Sequence, residues 1–296
     1  MNHYKKMEPL VSVVITTYNY GAYLKTCLDS VLCQGHTNLE IIVINDGSTD
    51  HTDQVIAPYL KNPLIKYVKQ ANAGQAVAKN KGINKGTGDY VAFLDADDYW
   101  MPEKLTKQLA LFKADSQLGV VFSQSTWIDQ AGLPIPIHTP RPHSGWVTND
   151  MVIDNFVAFS SALVKRECFQ TLGFFDEKLE MGIDWDLWLR FSRHYKFAFV
   201  DEKLIAYRVG HPNQMSKKQE RRQEQTDFIL NRFLQENPGV VPAKSLKKAQ
   251  AYTYRNRGEY FLKIDKKRSL HYHLKSLAIA PLQPIIYLRI IKTLIG

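Results

Sequence analysis

Short apolar runs alternate with segments of helical periodicity along the first hundred residues. The apolar, β-branched runs, each bounded by polar residues, lie at 10–16, 39–44, 64–68 and 90–94. Between them, apolar residues recur at helical spacing at 21–33, at about 50–60 and at 74–84. Strands that are apolar on both faces and alternate with helices are typical of a parallel sheet covered on both sides. The pattern therefore predicts an α/β fold with a mostly parallel sheet flanked by helices.

The rest of the chain is less regular. Residues 129–146 are rich in proline and histidine, which predicts an irregular surface loop. Further elements are predicted as a helix at 179–194, short strands at 197–200 and 204–208, and proline-punctuated helices after residue 217. We therefore expect a main domain over residues 1–215 and a basic helical extension over residues 216–296.

Positive charge is concentrated in the C-terminal part of the chain. Residues 217–296 contain 17 basic and 6 acidic residues, a net charge of +11, whereas residues 1–216 contain 21 basic and 23 acidic residues, a net charge of −2. This asymmetry predicts an anionic partner for the C-terminal extension. No zinc-finger, RRM or other recognition pattern accompanies the basic residues, so a nucleic acid is not expected as the partner.

The last segment, PLQPIIYLRIIKTLIG at 281–296, is apolar but contains Arg289 and Lys292 and is too short to span a bilayer. Together with the basic helices before it, this segment is predicted to lie on an anionic membrane surface. A helix packed on the body of the protein is the alternative. The sequence has no signal-peptide pattern, and we expect a cytoplasmic protein that is peripheral on the inner face of the cell membrane.

The composition excludes two other classes of protein. Apolar residues make up 45% of the 296-residue chain, which is enough for a sizeable core and excludes overall disorder. Three cysteines in a chain of this length leave one unpaired, which excludes a disulfide-stabilised scaffold. The chain is therefore expected to fold around a hydrophobic core.

Two acidic residues follow the fourth predicted strand directly. In an extended chain the side chains of Asp95 and Asp97 point to the same side, and ligands of parallel sheets bind beyond the carboxyl ends of the strands. Two carboxylates at such an end suit Mg²⁺ or Mn²⁺ bound together with substrate phosphates. Alternatively, the sequence DADD at 95–98 is an acidic turn that caps the next helix. The spacing alone leaves both interpretations open.

Other polar residues at the same edge also have two interpretations. Asp46, in NDGSTD, either accepts a hydrogen bond from a nucleobase or belongs to a turn that leads into the next helix. Tyr18 either stacks on a base or packs under the first helix. The segment from Asn72 to Gly74 leads into a helix that carries Lys79, and its N–H groups together with this lysine are suited to a diphosphate. The chain contains neither GxxxxGK[ST] nor GxGxxG, so a P-loop NTPase or a Rossmann dehydrogenase has no support.

Five segments, taken together in their order and spacing, resemble family 2 glycosyltransferases. They are SVVITTYN at 12–19, EIIVINDGSTD at 40–50, NAGQAVAKNKGI at 72–83, GDYVAFLDADD at 88–98 and IDWDLWLR at 183–190. The resemblance covers about residues 10–215. It implies the GT-A fold, which is Rossmann-like, and an inverting enzyme that uses a nucleotide-diphosphate sugar, usually a uridine nucleotide, with Mn²⁺ or Mg²⁺ as cofactor.

The resemblance also implies roles for individual residues of the donor site. It assigns to the nucleotide Thr16, Thr17, Tyr18, Asn19, Asp46, Asn72, Gly74, Lys79 and Asp95. It assigns Asp97 and Asp95 to the metal ion, and His211 to the metal or the diphosphate; an ordinary loop histidine is the alternative for His211. Lys79 stands where related enzymes commonly have arginine, so the charge is kept but the two-pronged donor geometry is lost.

Asp184 corresponds to the catalytic base of the family. A glutamate usually precedes this aspartate, but Ile183 stands there in this chain, which removes a neighbouring negative charge. Trp185 and Asp186 are assigned to the acceptor. The residues alone favour Asp184 as an N-cap of the following helix, whereas the resemblance favours its role as the base.

The expected function is the transfer of a single sugar to a glycan or lipid-linked acceptor in cell-surface polysaccharide synthesis. The processive synthases of the family carry a QxxRW motif, and this chain contains no Arg-Trp pair. One alternative is a sugar nucleotidyltransferase, which needs a glycine-rich basic loop where this chain has TTYNYG. The other is a catalytically silent nucleotide-sugar-binding module, which is disfavoured because Asp46, Asp95, Asp97 and Asp184 are all present.

Overall fold

The computed structural model describes residues 8–137, 142–210 and 219–295. Within these ranges the chain forms two compact units. The larger unit contains the described residues up to Val147 and Phe156–Ile229, and the smaller unit contains Thr148–Asn155 and the described residues from Leu230 onward. The short segment 148–155 thus belongs with the C-terminal helices, although it lies far from them in the sequence. The domain boundary between residues 215 and 216 stays a prediction.

The larger unit is built on one mixed sheet. The strands that the structure describes are β1 Val11–Thr17, β2 Leu39–Asn45, β3 Ile65–Lys69, β4 Tyr90–Asp95, β5 Tyr99–Trp100, β6 Leu118–Ile128, β7 Leu163–Lys165 and β8 Lys196–Arg208. Their order in the sheet is β3-β2-β1-β4-β7-β6-β8-β5. The first four run parallel, β7 runs antiparallel to both of its neighbours, and β8 runs parallel to β6. The predicted α/β class is confirmed.

Helices connect the strands and form the smaller unit. In the larger unit they are α1 Gly21–Leu32, α2 Thr52–Ile56, α3 Gln75–Lys85, α4 Lys104–Ala114, α6 Arg166–Leu172 and α7 Ile183–Ser192, with 3₁₀ turns at Ala57–Lys61 and Phe159–Ser161. Helix α5, Thr148–Met151, belongs to the smaller unit, and α8, Gln219–Glu236, begins in the larger one. The C-terminal helices are α9 Ala243–Phe261, α10 Lys266–Ile279 and α11 Pro284–Ile295.

Both faces of the parallel strands are covered, which explains their continuous apolar sequence. Val13 and Ile15 of β1 belong to a core cluster with residues of α1 and α4. Ile42 and Ile44 of β2 pack with Ala78 of α3 in a separate cluster. Every residue of β2 is buried, and a strand buried on both faces excludes the alternating pattern of a half-exposed strand.

Glu40 is a charged residue within the apolar strand β2, and its carboxylate is buried near the start of the strand. It accepts hydrogen bonds from the Ser12 hydroxyl and the Thr87 N–H and forms an ion pair with Lys66. Burial acts to raise the pKa of Glu40, but the Lys66 ammonium and the hydrogen bonds outweigh it and lower the pKa to about 2. The charge is therefore retained inside the sheet because it is fully paired.

Strands β5, β6 and β7 were not predicted, and the last strand of the larger unit differs from its prediction. Two short strands were predicted at 197–200 and 204–208, but β8 is one 13-residue strand. The residues between them, Asp201 to Lys203, are exposed and interrupt the apolar pattern. In the pairing of β8 with β6 the register shifts between Ser123 and Gln124 at this point, so a bulge accommodates the polar residues without ending the strand.

The smaller unit is helical, as expected for the C-terminal extension. Helices α9 and α10 approach closely at Gly258, where an added Cβ atom would lie 2.4 Å from the His273 ring. The Ser269 hydroxyl of α10 donates to the Gly258 carbonyl at 2.8 Å and reinforces this contact. No helix among the described residues combines the length and the apolar character that a membrane span requires.

Candidate active site

The carboxyl ends of three neighbouring parallel strands bring the predicted donor residues to one edge of the sheet. In the strand pairing, Thr17 of β1 lies opposite Asn45 of β2, directly before Asp46. On the other side of β1, Thr16 lies opposite Asp95 of β4. The pairing of β1 with β2 and with β4 therefore places side chains from three distant parts of the sequence within one region.

The segment after β1 is fixed by the turn after β2. Asn19 adopts a positive φ of 60°, and its side-chain oxygen accepts hydrogen bonds from the N–H groups of Thr49 and Asp50. Its own N–H donates to the Ser48 hydroxyl at 3.0 Å. Tyr18, between these contacts and the strand, is 46% exposed, so its ring is accessible to a ligand.

The Asp46 carboxylate holds the segment that precedes α3. It is 4% exposed and accepts hydrogen bonds from the N–H groups of Ala73 and Gly74, both at 2.9 Å, and from the Gln70 amide at 2.7 Å. The two N–H groups that the sequence suggested for a diphosphate are thus bound to Asp46 in this structure. Asn72 is exposed beside them.

Gly47 is required by the close approach of this segment. Its φ of +81° favours glycine, and an added Cβ atom would lie only 2.7 Å from the Asn72 nitrogen. The DG pair in NDGSTD therefore does two things, since the aspartate binds the 70–74 segment and the glycine lets its backbone pass.

Lys79 of α3 is buried and pairs with Asp95. The ammonium lies 2.8 Å from an Asp95 carboxylate oxygen, 3.5 Å from the Thr16 hydroxyl and 4.4 Å from the centroid of the Phe159 ring. Burial raises the pKa of Asp95, Lys79 acts to lower it, and the Asp97 and Asp184 carboxylates raise it further. Asp184 is therefore close enough to Asp95 for an electrostatic interaction, although the two are 89 positions apart in the sequence.

The backbone of the DADD segment is held by Arg208 at the end of β8. The Arg208 Nε–H donates to the Asp97 carbonyl at 2.9 Å, and its backbone N–H donates to the Asp98 carboxylate at 2.8 Å. Burial, followed by the nearby Asp97 and Asp95 carboxylates, raises the pKa of Asp98 well above its usual value. The next helix, α4, is capped by Glu103 without a side-chain hydrogen bond, so the interpretation of DADD as a helix cap is wrong.

The donor chemistry of this segment fits a divalent cation. Asp95 and Asp97 provide hard oxygen atoms next to the Lys79 ammonium, and Mg²⁺ or Mn²⁺ in such sites takes its remaining ligands from substrate phosphates and water. Within the described ranges no group of three or more His, Cys, Asp and Glu side chains is arranged to hold a metal. The third predicted ligand, His211, lies outside the described residues.

Asp184 lies in the first turn of α7 and is half-buried. The helix is capped by Gly182, which adopts a φ of 70° and has no side chain, so the interpretation of Asp184 as the N-cap is wrong. The segment before α7 contacts the donor side, since the Gln75 amide at the start of α3 donates to the Glu180 carbonyl at 3.1 Å. The role of Asp184 as the base stays a prediction.

The two residues assigned to the acceptor are both buried. Trp185 is 7% exposed. Asp186 forms an ion pair with Arg190 at 3.0 Å, and Arg190 also donates to the carbonyls of Leu172 and Phe174. Asp186 thus holds the guanidinium of Arg190, which ties α7 to the end of α6, and the acceptor assignment of both residues stays a prediction.

Two residues of this region had no signal in the sequence. Phe159 and Ser160 lie in a short 3₁₀ turn, far from any of the five segments that resemble the family. The Phe159 ring contacts the Lys79 ammonium, and the Ser160 hydroxyl contacts the DADD segment. Only the three-dimensional structure brings this turn beneath the acidic loop.

Several known proteins are similar to this chain in sequence. Residues 12–173 match the profile of glycosyl transferase family 2. An uncharacterised glycosyltransferase of Rickettsia prowazekii is 33% identical over 68% of this chain and 64% of its own length. The chondroitin synthase of Pasteurella multocida is 31% identical over 87% of this chain, which spans only 27% of that enzyme.

Solved structures with low sequence identity share the fold. S. aureus TarS 1–349 in complex with UDP-GlcNAc aligns with a TM-score of 0.69 at 18% identity, over 96% of this chain and 88% of that one. The mannosyltransferase PcManGT of Pyrobaculum calidifontis, in complex with GDP-Man and Mn²⁺, aligns with a TM-score of 0.67 at 18% identity, over 96% of this chain and 79% of that one. These neighbours are GT-A glycosyltransferases, which confirms the fold that the resemblance implied. The profile match over residues 12–173 and the sequences of the relatives show that this chain contains a glycosyltransferase domain and belongs to glycosyl transferase family 2.

Proposed function

We propose that this chain transfers a single sugar, with inversion, from a UDP-sugar to a hydroxyl group of a glycan or lipid-linked acceptor in cell-surface polysaccharide synthesis. The observation that carries the proposal is the common location of Asp46, Asp95 and Asp97 at one sheet edge, and the Asp184 carboxylate acts to raise the pKa of Asp95. A nucleotide diphosphate needs a group that binds its nucleobase and a positive charge that binds its phosphates. An incoming hydroxyl needs a general base that accepts its proton. Residues of these types lie in this region.

The Asp184 carboxylate is proposed to accept the proton of the acceptor hydroxyl as the new glycosidic bond forms. Inversion requires the hydroxyl to approach the anomeric carbon opposite the bond to the diphosphate, so the base must lie across the donor from the phosphates. Lys79 is proposed to bind the departing diphosphate, because its ammonium is held at the donor side by Asp95. Tyr18 and Asp46 are proposed to bind the uracil, by stacking and by hydrogen bonding.

A divalent cation at Asp95 and Asp97 is proposed to complete the donor site. When bound, Mn²⁺ or Mg²⁺ supplies Lewis-acid stabilisation of the charge on the leaving diphosphate. The chain's own contribution is to hold the two carboxylates on a backbone fixed by Arg208. The complex of PcManGT with Mn²⁺ supports this cofactor assignment.

A panel of UDP-, GDP- and dTDP-sugars tests the donor. We expect a UDP-sugar at about 100 times its dissociation constant to raise the melting temperature by about 5 °C or more in the presence of Mn²⁺. We expect a smaller rise without Mn²⁺ and with the other nucleotides. The same assay with UDP released over time separates a transferase from a catalytically silent binding module. Stabilisation by GDP-sugars alone, or by no nucleotide, would contradict the proposal.

The C-terminal helix α11 is proposed to bind an anionic membrane surface, where a lipid-linked acceptor is located. Leu282, Ile285, Leu288 and Ile291 are each at least 50% exposed, and the last three lie three positions apart on one side of α11. Apolar side chains on one helix face next to basic segments are typical of interfacial helices. We propose a cytoplasmic location on the inner face of the membrane.

Vesicle co-sedimentation tests this surface. We expect the protein to pellet with phosphatidylglycerol-containing vesicles, to remain in solution with pure phosphatidylcholine, and to be released by salt. The variant Ile285→Ser/Leu288→Ser should lose binding. Ile264→Ser, which removes an exposed apolar side chain outside α11, is the matched control. Equal pelleting of the two variants would contradict a role for α11.

A further inference from the structure

A buried serine connects both ends of the acidic loop 95–98. The Ser160 hydroxyl accepts a hydrogen bond from the Asp95 N–H at 3.1 Å and donates to the Asp98 carboxylate at 2.5 Å. The Ser160 carbonyl accepts a hydrogen bond from the Trp100 indole at 2.8 Å. Ser160 is fully buried and Asp98 is 1% exposed. One hydroxyl therefore closes the loop on itself from inside the protein.

Arg208 holds the same loop from the other side. The second oxygen of the Asp98 carboxylate accepts the Arg208 N–H, while the Arg208 guanidinium binds the Asp97 carbonyl. The guanidinium is in turn fixed by the carbonyls of Asp129 and Gln130, both at 2.9 Å, and lies 4.5 Å from the centroid of the Tyr23 ring. The loop is thus bound at each of its three aspartates, through the backbone at Asp95 and Asp97 and through the carboxylate at Asp98.

The physical problem that these contacts address is the repulsion between carboxylates. Asp95, Asp97 and Asp98 lie within four consecutive residues. Like charges so close together repel each other and favour an open loop in which the carboxylates are farther apart. A metal site requires the opposite, because two ligands must be held near a single position before the ion arrives. Groups that orient metal ligands without touching the metal change its affinity about 10- to 100-fold.

We propose that Ser160 and Asp98 are positioning residues that hold Asp95 and Asp97 in the arrangement that binds the divalent cation and the donor diphosphate. This inference rests on the proposed function, because it assumes that the two carboxylates bind a metal. It assigns no contact with substrate to Ser160 or Asp98. Their role is to keep the loop closed, which the Ser160 hydroxyl does through Asp95 and Asp98.

The adjacent serine provides a matched control. Ser161 is also fully buried in the same 3₁₀ turn, but its hydroxyl donates to the Ala158 carbonyl at 2.7 Å and makes no contact with the loop. Ser160→Ala and Ser161→Ala each remove one buried hydroxyl of the same volume. We expect Ser160→Ala to weaken Mn²⁺ binding in the presence of UDP about 10-fold or more, and Ser161→Ala to leave it near the parent value.

Mn²⁺ binding is measured by the electron paramagnetic resonance signal of the free ion during titration, without any turnover. The melting temperatures of both variants report the structural cost of losing a hydroxyl, which is expected to be larger for Ser160→Ala because the buried Asp98 carboxylate then loses a hydrogen bond. In transfer assays, Ser160→Ala should raise the Mn²⁺ concentration for half-maximal rate, with a smaller change in kcat at saturating Mn²⁺. Equal Mn²⁺ affinity of Ser160→Ala, Ser161→Ala and the parent would overturn the positioning role.

A double variant and the parent protein provide two further measurements. If Ser160→Ala alone does not fold because Asp98 loses its partner, the double variant Ser160→Ala/Asp98→Asn removes the buried charge, and its Mn²⁺ affinity should again be about 10-fold weaker. Parent-like affinity of the double variant would overturn the inference. A parent protein that binds no Mn²⁺ with UDP would overturn the proposed donor site together with the inference, and this result is distinct from equal binding by all variants.

Discussion

Asp184→Asn is expected to lower kcat for sugar transfer by about 10²- to 10⁴-fold, which is the usual contribution of a general base. The amide cannot accept a proton at neutral pH, but it has almost the same shape and can still accept a hydrogen bond from the acceptor hydroxyl. Because the N-cap of α7 is Gly182 and not Asp184, the variant should fold normally. Binding of UDP with Mn²⁺ should stay near the parent value.

The measurement is release of UDP and formation of the glycosylated product under saturating donor. Asp115→Asn is the matched control, because Asp115 pairs with Lys196 at 3.3 Å before the start of β6, at the sheet edge opposite the donor residues. We expect it to change the rate less than two-fold because Asp115 is remote from the donor residues, and loss of a surface ion pair costs only about 1 kcal/mol of stability or less. If Asp184→Asn transfers sugar as fast as Asp115→Asn, another group is the base.

Asp97→Asn is expected to weaken metal-dependent donor binding about 100-fold or more, an effect at least as large as that of changing an orienting neighbour. An amide oxygen is a weaker ligand for Mn²⁺ than a carboxylate, and one negative charge is lost beside the cation. The Asp97 carbonyl, which accepts from Arg208, is unchanged by the substitution. The loss should therefore fall on the metal and not on the loop.

Calorimetric titration of UDP with and without Mn²⁺ measures this effect. The control is Asp89→Asn at the opposite end of β4, where the carboxylate accepts the Leu10 N–H. Asp89→Asn should bind UDP and Mn²⁺ as the parent does. An Mn²⁺-dependent gain in UDP affinity that persists unchanged in Asp97→Asn would show that Asp97 is not a ligand.

The variants also separate three roles. Asp184→Asn should change the rate without changing binding, and Asp97→Asn should change the binding of the metal and the donor. Ser160→Ala should change metal affinity while kcat is largely recovered at high Mn²⁺. A common loss of all three quantities, together with a lower melting temperature, would instead indicate damage to the loop 95–98 as a whole.

The parallel half of the fold was predictable because its signals are local. The strands β1, β2, β3 and β4 begin and end within one residue of their predicted limits, since each is a short apolar run bounded by polar residues. The sequence patterns gave no comparable signal for β7 or for the 3₁₀ turn that precedes it. A three-residue strand has too few positions for a periodicity, and its place between β4 and β6 depends on pairing with distant residues.

The candidate site divides in the same way. The acidic residues Asp95 to Asp98 and Asp184 were recognisable by type and position, but their alternatives as helix caps were removed only when α4 and α7 were found to be capped by Glu103 and Gly182. A cap is defined by the backbone where the helix begins. Spacing in the sequence does not specify that point to within a residue.

By itself, the sequence determined the α/β class, the alternation of strands and helices along the parallel half, and the residue types available for a nucleotide-sugar site. These depend on local periodicity and on short motifs. The tertiary structure alone decided that Asp184 lies near Asp95, that Asp46 binds the segment before α3, and that Ser160 closes the acidic loop. Each of these contacts joins residues far apart in the chain, and such contacts are set by how the sheet and helices pack rather than by any local pattern.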